Sequence, residues 1–199
     1  MVCPFRLIVV EGTLEVAAAA RILGVLGLDE GAPPAMSKGG RHKFWSDIRR
    51  YNEAAQYAPV LALADLEMEA CVTALFQQHL PHGRNPQLVL RLAVRMLESW
   101  LLAHHDALAA FLKISAAKVP VEPDQEVHAK RTIVNLARKS KSRLLRMDLV
   151  PKQGTSGLVG PNYTARMGEF IREHWQPLVA QTRSPSLRRA LQAIEQIGH

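Results

Sequence analysis

The sequence predicts an α/β fold: a mostly parallel central sheet with helices on both faces, followed by a helical C-terminal extension. Three observations carry this. Short apolar runs alternate with stretches of helical spacing through the first 119 residues, the order that parallel βαβ units require. Two of those runs, Leu7-Ile8-Val9-Val10 and Val60-Leu61-Ala62-Leu63-Ala64, end directly in acids. Beyond Pro120 the character changes, and residues 120–199 read as helices and loops.

Phe5 to Val10 is a short β-branched run ended by Glu11-Gly12, the pattern of a buried strand. Thr13 to Leu26 has apolar positions at Leu14, Ala18, Ile22 and Val25, with Gly27 as a stop. Asp29 to Gly40 is a Gly- and Pro-rich loop. Lys43 to Tyr57 is helical by the spacing of Phe44, Ile48 and Tyr51, and Pro59 precedes the strand Val60 to Ala64. Glu67 to Leu80 is a helix closed by Pro81-His82-Gly83. Leu88 to Val94 is a third strand, with Arg91 keeping it from full burial. Arg95 to Ile114 is a helix with a break expected near His104-His105-Asp106. Val127 to Met147 is a basic helical stretch, Asp148 to Pro161 a Gly-rich loop, and Asn162 to Gln181 a helix. Ser184-Pro185 starts the last helix, with Ser as cap and Pro at the first helical position.

A chain of 199 residues supports one sizeable core, here a single domain with an α/β core over 1–119 and a helical extension over 120–199. No apolar run approaches the ~18 residues of a membrane span, and the start does not resemble a secretory signal. Cys3 and Cys71 lack metal-type spacing and are expected to stay reduced. The expected location is cytoplasmic, with no membrane partner.

Net charge is +7, so an acidic site must sit within a basic protein. Lys130, Arg131, Arg138, Lys139, Lys141, Arg143 and Arg146 follow one another between Ala129 and Met147 with a single polarity of charge. A second basic group, including Lys38, Arg41 and Lys43, brackets Gly39-Gly40. Attraction to a polyanion explains such stretches, and so does a solvated helix face. Lys139, Lys141 and Arg143 are the candidate nucleic-acid contacts.

Carboxylates at the carboxyl ends of parallel strands fall where ligands bind in open α/β sheets. Glu11 directly follows four apolar residues, and Glu15 lies in the first turn of the next helix. Asp65 and Glu67 are two apart, so a strand continuing through them points both to one face. Glu98 stands in an apolar helical face and needs a partner: a metal ion, Arg95, or a base from the extension. Clustered carboxylate oxygens suit the hard cations Mg²⁺ or Mn²⁺. Glu11, Asp65 and Glu67 are therefore the expected metal ligands, with Glu15 and Glu98 as secondary ones. Every acid but Glu11 also has a structural explanation: Glu15 and Glu67 as helix-start acids, Asp65 as a cap, Glu98 in an ion pair. His104-His105 do not face one way and form no joint site. The Lys152 to Gly160 loop lacks the ending of an ATP-binding loop, and no nucleophile elbow is present.

Val10-Glu11-Gly12-x-x-Glu15, Gly39-Gly40, Ala64-Asp65-x-Glu67 and Arg95-x-Leu97-Glu98-x-Trp100-Leu101-Leu102-Ala103 resemble the DUF4276 family. That family is similar to the Toprim domains of OLD-type (overcoming lysogenisation defect) nucleases. Lys130, Tyr163 and Ser184-Pro185-Ser186 extend the resemblance over nearly the whole chain. It implies a Toprim-like fold and a Mg²⁺- or Mn²⁺-dependent nuclease acting on nucleic acid, in anti-phage defence or DNA processing. Glu11, Asp65, Glu67 and Lys130 would be its catalytic residues. Lys130 matches the lysine such nucleases place near the scissile phosphate, and Glu67 stands where Toprim proteins usually carry a second aspartate. The alternative is a non-catalytic Toprim-like module serving a separate ATPase, since this chain has no ATP site of its own.

Overall fold

A computed structural model describes residues 2–69 and 71–198. Four strands form one wholly parallel sheet: β1 (Leu7–Val10), β2 (Met36–Ser37), β3 (Val60–Asp65) and β4 (Leu88–Ala93), in the spatial order β2-β1-β3-β4. Val10 pairs with Leu63, and Asp65 with Ala93. The period of two along each strand sorts its side chains between two cores. Ile8, Val10, Leu61, Leu63 and Val89 face one core, and Val9, Ala62, Ala64, Leu90 and Leu92 face the other.

α1 (Thr13–Val25) covers the first face with Ala18, Ala19, Ile22 and Leu23. α2 (Arg41–Ala54) covers the second with Phe44, Trp45, Ile48 and Tyr51, joined by Leu75 of α3 (Val72–His79). The first core then continues without a seam into the C-terminal half. α4 (Leu97–Ala103) and α5 (His105–Leu112) lead to α6 (Ala129–Arg138), α7 (Arg143–Leu149), α8 (Tyr163–Glu173), α9 (Pro177–Ala180) and α10 (Pro185–Gly198). Trp100 is fully buried and donates its indole N–H to Ser186 at 2.8 Å. Trp175 donates to the Trp100 carbonyl at 3.1 Å. Ser184, buried before α10, accepts from the Leu187 N–H and donates to Asp124 at 2.7 Å. No helix among the described residues is long and apolar enough to cross a membrane.

Four expectations change. Met36–Ser37 is an edge strand rather than loop; two residues carry too little alternation to show in a sequence. The helix expected from Glu67 begins at Val72, because Glu67 adopts a left-handed backbone (φ 53°) that ends the strand in a turn; Ala70 lies outside the described residues. The basic helical stretch is two helices, α6 and α7, parted at Ser140-Lys141-Ser142, where Ser142 caps α7 by accepting from Leu145. The helix expected over Asn162 to Gln181 is α8 and α9, parted at His174 to Gln176. The break near His104 is present: its ring Nδ1 accepts the Gln176 N–H at 3.1 Å, and its backbone leaves the helical region.

Candidate functional site

The strand order sets the place of the site. From β1 the chain goes outward through α1 to β2, then crosses through α2 to β3 on the other side of β1. Connections leaving in opposite directions open a crevice at the carboxyl ends of β1 and β3, where open α/β sheets bind ligands. Glu11 is the first residue after β1, and Asp65 is the last of β3.

A cleft of about 270 Å³ occupies this crevice, and Glu11, Glu15, Asp65, Glu67, Glu98, Lys130 and Tyr163 all line it. The five acids predicted from sequence are thus on one cleft, reached from three separate segments. Glu11 accepts the Asp65 backbone N–H at 3.3 Å. Asp65 accepts the Leu97 N–H at 2.8 Å; it caps the start of α4, not the helix that follows it in sequence. Glu98, 2% exposed, receives the Tyr163 hydroxyl at 3.2 Å and lies 3.5 Å from the Lys130 ammonium. Its partner is therefore a base from the C-terminal half. Arg95 turns away to the Glu69 carbonyl at 2.9 Å.

Glu67 reaches the cleft by a different route from the one period-two spacing implies. The strand does not run through it; the left-handed turn swings its side chain to the rim, 44% exposed and 3.6 Å from Arg41. Glu15, expected as a secondary ligand, instead lies among the others. Its charge is felt by Asp65, and it feels those of Glu98 and Glu11.

Burial and mutual repulsion make the carboxyls of this cluster resist ionisation. Burial pushes the Glu15 carboxyl up to about 7, with Glu98 and Glu11 adding to the rise. Burial, then Glu15, Glu98 and Glu11, raise Asp65 well above the usual carboxylate range. Burial also raises Glu11, against the hydrogen bond from Asp65. Lys130 answers part of this: burial disfavours its ammonium, but Glu98, Asp65 and Glu15 outweigh that and hold its proton more firmly than usual. Gly12 and Gly40, which precede α1 and α2, also line the cleft, so two helix N-termini bring partial positive charge to it. Gly40 takes φ +130°, open to glycine, and donates its N–H to the Glu11 carbonyl at 2.9 Å.

Arg41 is a site residue that little in the linear sequence marks, beyond the Gly-Gly pair before it. Its guanidinium donates to the Asp65 carbonyl at 3.1 Å and to Glu69 at 2.8 Å, tying the end of β3 to the turn after it. The Lys152 to Gly160 loop brings only Val159 to the cleft. Lys139, Lys141 and Arg143 do not line it: the first two border one hollow, and Arg143 another.

The donor set is all oxygen, anionic and short of compensating cations, which fits a hard divalent ion. As the side chains are placed, no three acidic, histidine or cysteine groups among the described residues stand in metal-binding proximity; hydrogen bonds from Leu97, Tyr163 and the Asp65 backbone engage the carboxylates instead. Comparisons with protein-family models, with curated proteins and with solved structures return no match.

Proposed function

We propose that the cleft is a Mg²⁺- or Mn²⁺-dependent phosphodiester-cleaving site acting on nucleic acid, of the Toprim-like kind that the DUF4276 resemblance implies. The observation that supports it most is the convergence of Glu11, Glu15, Asp65 and Glu98 on the β1/β3 switch point, with Lys130 as the cation beside them. Glu11, Glu15 and Asp65 would hold the ion, with Glu98 behind them and Glu67 at the rim. When bound, the ion supplies Lewis-acid polarisation of a phosphoryl oxygen.

The chain's own residues do the rest. Lys130 keeps its proton among the carboxylates, so it acts as a fixed positive charge at Nζ and not as a base. It faces a cleft that would otherwise repel a phosphodiester. Tyr163 fixes the Glu98 carboxylate through its hydroxyl, and Arg41 holds Glu67 and the Asp65 carbonyl in place.

Thermal melting with and without Mn²⁺ tests the ion, since a ligand that prefers the folded state stabilises it. The melting temperature should rise in Mn²⁺, and Glu11→Gln and Asp65→Asn should each remove the rise; an unchanged rise in both rejects the assignment. Incubation with single- and double-stranded DNA and RNA in Mg²⁺ or Mn²⁺ tests the chemistry. Cleavage lost in Asp65→Asn supports the nuclease. Binding without cleavage favours an interaction module, the kind that could serve a separate ATPase.

A further inference from the structure

Lys113, Lys118, Lys139 and Lys141 surround a hollow of about 450 Å³, with Ile114 and Ser115 completing its lining and no carboxylate among them. Two segments distant in sequence bring them together. Lys113 follows the last residue of α5 and Lys118 closes the short 3₁₀ turn Ala116–Lys118, while Lys139 and Lys141 come from the bend between α6 and α7. A backbone hydrogen bond, Lys141 N–H to the Lys113 carbonyl at 3.4 Å, joins the segments.

Two features set this group apart from an ordinary solvated face. Among the described residues, no ion pair engages any of the four, although gathering like charges in one hollow works against folding. Lys113 also holds a left-handed backbone, φ +54°. That position after a helix is where glycine sits with least strain, and a cap alone gives no reason for a lysine. Across the same bend, Arg138, Arg143, Arg146 and Lys152 border a second hollow of about 610 Å³. Its one acid, Asp148, is already bound by Arg166 at 2.7 Å and Asn162 at 2.8 Å.

α6 links these hollows to the acidic cleft, with Lys130 at its start beside Glu98 and Lys139 just past its end. Nine residues at ~1.5 Å each separate them by ~14 Å along the helix, about four nucleotide steps at ~3.4 Å per step. We propose that the four-lysine hollow is a nucleic-acid backbone site, taking phosphodiester groups about four nucleotides from the one at the acidic cleft. Its place along the substrate rests on the phosphodiester reading of that cleft; its charge does not. Separate concave hollows on either side of a bend suit spaced phosphates better than a flat anionic membrane.

The test is binding of a labelled oligonucleotide of about twenty nucleotides to the full chain in EDTA, across a salt series. Lys113→Gln/Lys118→Gln should bind at least about fivefold more weakly. The log–log salt slope should fall by about 1.4 to 1.8, two phosphates at 0.7 to 0.9 each. Lys113→Arg/Lys118→Arg should restore both, and the melting temperature should not fall in either variant. Equal affinity and slope in the Gln variant, or no restoration by Arg, overturns the proposal. So does binding to phosphatidylserine–phosphatidylcholine vesicles that the Gln variant loses while oligonucleotide binding stays intact. Binding in EDTA needs no ion at the acidic cleft, so failure here leaves the Mn²⁺ melting result standing. Loss of the Mn²⁺ shift likewise leaves this result standing.

Discussion

Replacing Glu15 with Gln should make the metal-free protein more stable at neutral pH. Glutamine keeps the shape and an acceptor oxygen and removes only the charge. Burial beside Glu98 and Glu11 raises the Glu15 carboxyl from 4.5 to about 7. At ~1.4 kcal/mol per pH unit, ionising it in the folded state costs on the order of 3 kcal/mol. The folded protein holds this proton more tightly than the unfolded chain does. The cost is therefore absent below about pH 4.5, grows up to about pH 7 and is complete above it. Urea unfolding in EDTA should show Glu15→Gln above wild type by up to ~3 kcal/mol at pH 8, with the gap closing towards pH 4.5. If Glu15 is only a favourable acid in the first turn of α1, the sign reverses. Removing its charge would then cost about 0.3 to 1 kcal/mol at pH 8. A variant equal to or less stable than wild type at pH 8 refutes the reasoning from the crowded cluster.

Gly160→Ala should destabilise by about 1 to 3 kcal/mol or more, read as a lower urea midpoint. A Cβ there would lie 2.6 Å from both Leu149 C and Val150 N, backbone atoms that cannot yield. Tyr163→Phe should cost about 1.5 kcal/mol, the lower end for a hydrogen bond to a charged group, because Lys130 remains beside Glu98. An unchanged unfolding midpoint would mean that the hydroxyl does not support that carboxylate.

Much of the site was legible in the sequence because it depends on local chemistry. A run such as Leu7-Ile8-Val9-Val10 is a buried strand wherever it folds, and the acid after it falls at the strand's carboxyl end. Glu11 and Asp65 could thus be placed on one edge before their neighbours were known. The Glu98 carboxylate, set in an apolar helix, announced a partner without naming it. The Gly-rich loop was less transparent: Gly160 answers to backbone packing against Leu149 and Val150, a demand invisible in its own segment.

The sequence alone determined β1, β3, β4 and most helices of the N-terminal half, their parallel arrangement and the acids at the strand ends, because periodicity and burial act within a few residues. Tertiary structure decided the rest. The two-residue edge strand β2 fixed the switch point between β1 and β3. A left-handed turn carried Glu67 to the rim, and the fold drew Glu15 inward. It chose Lys130 over Arg95 for Glu98, and it divided the basic stretch between two hollows, one of which gained Lys113 and Lys118 from elsewhere. These outcomes depend on which distant segments a buried charge meets, and electrostatic partners are selected by distance in space, which spacing along the chain does not encode.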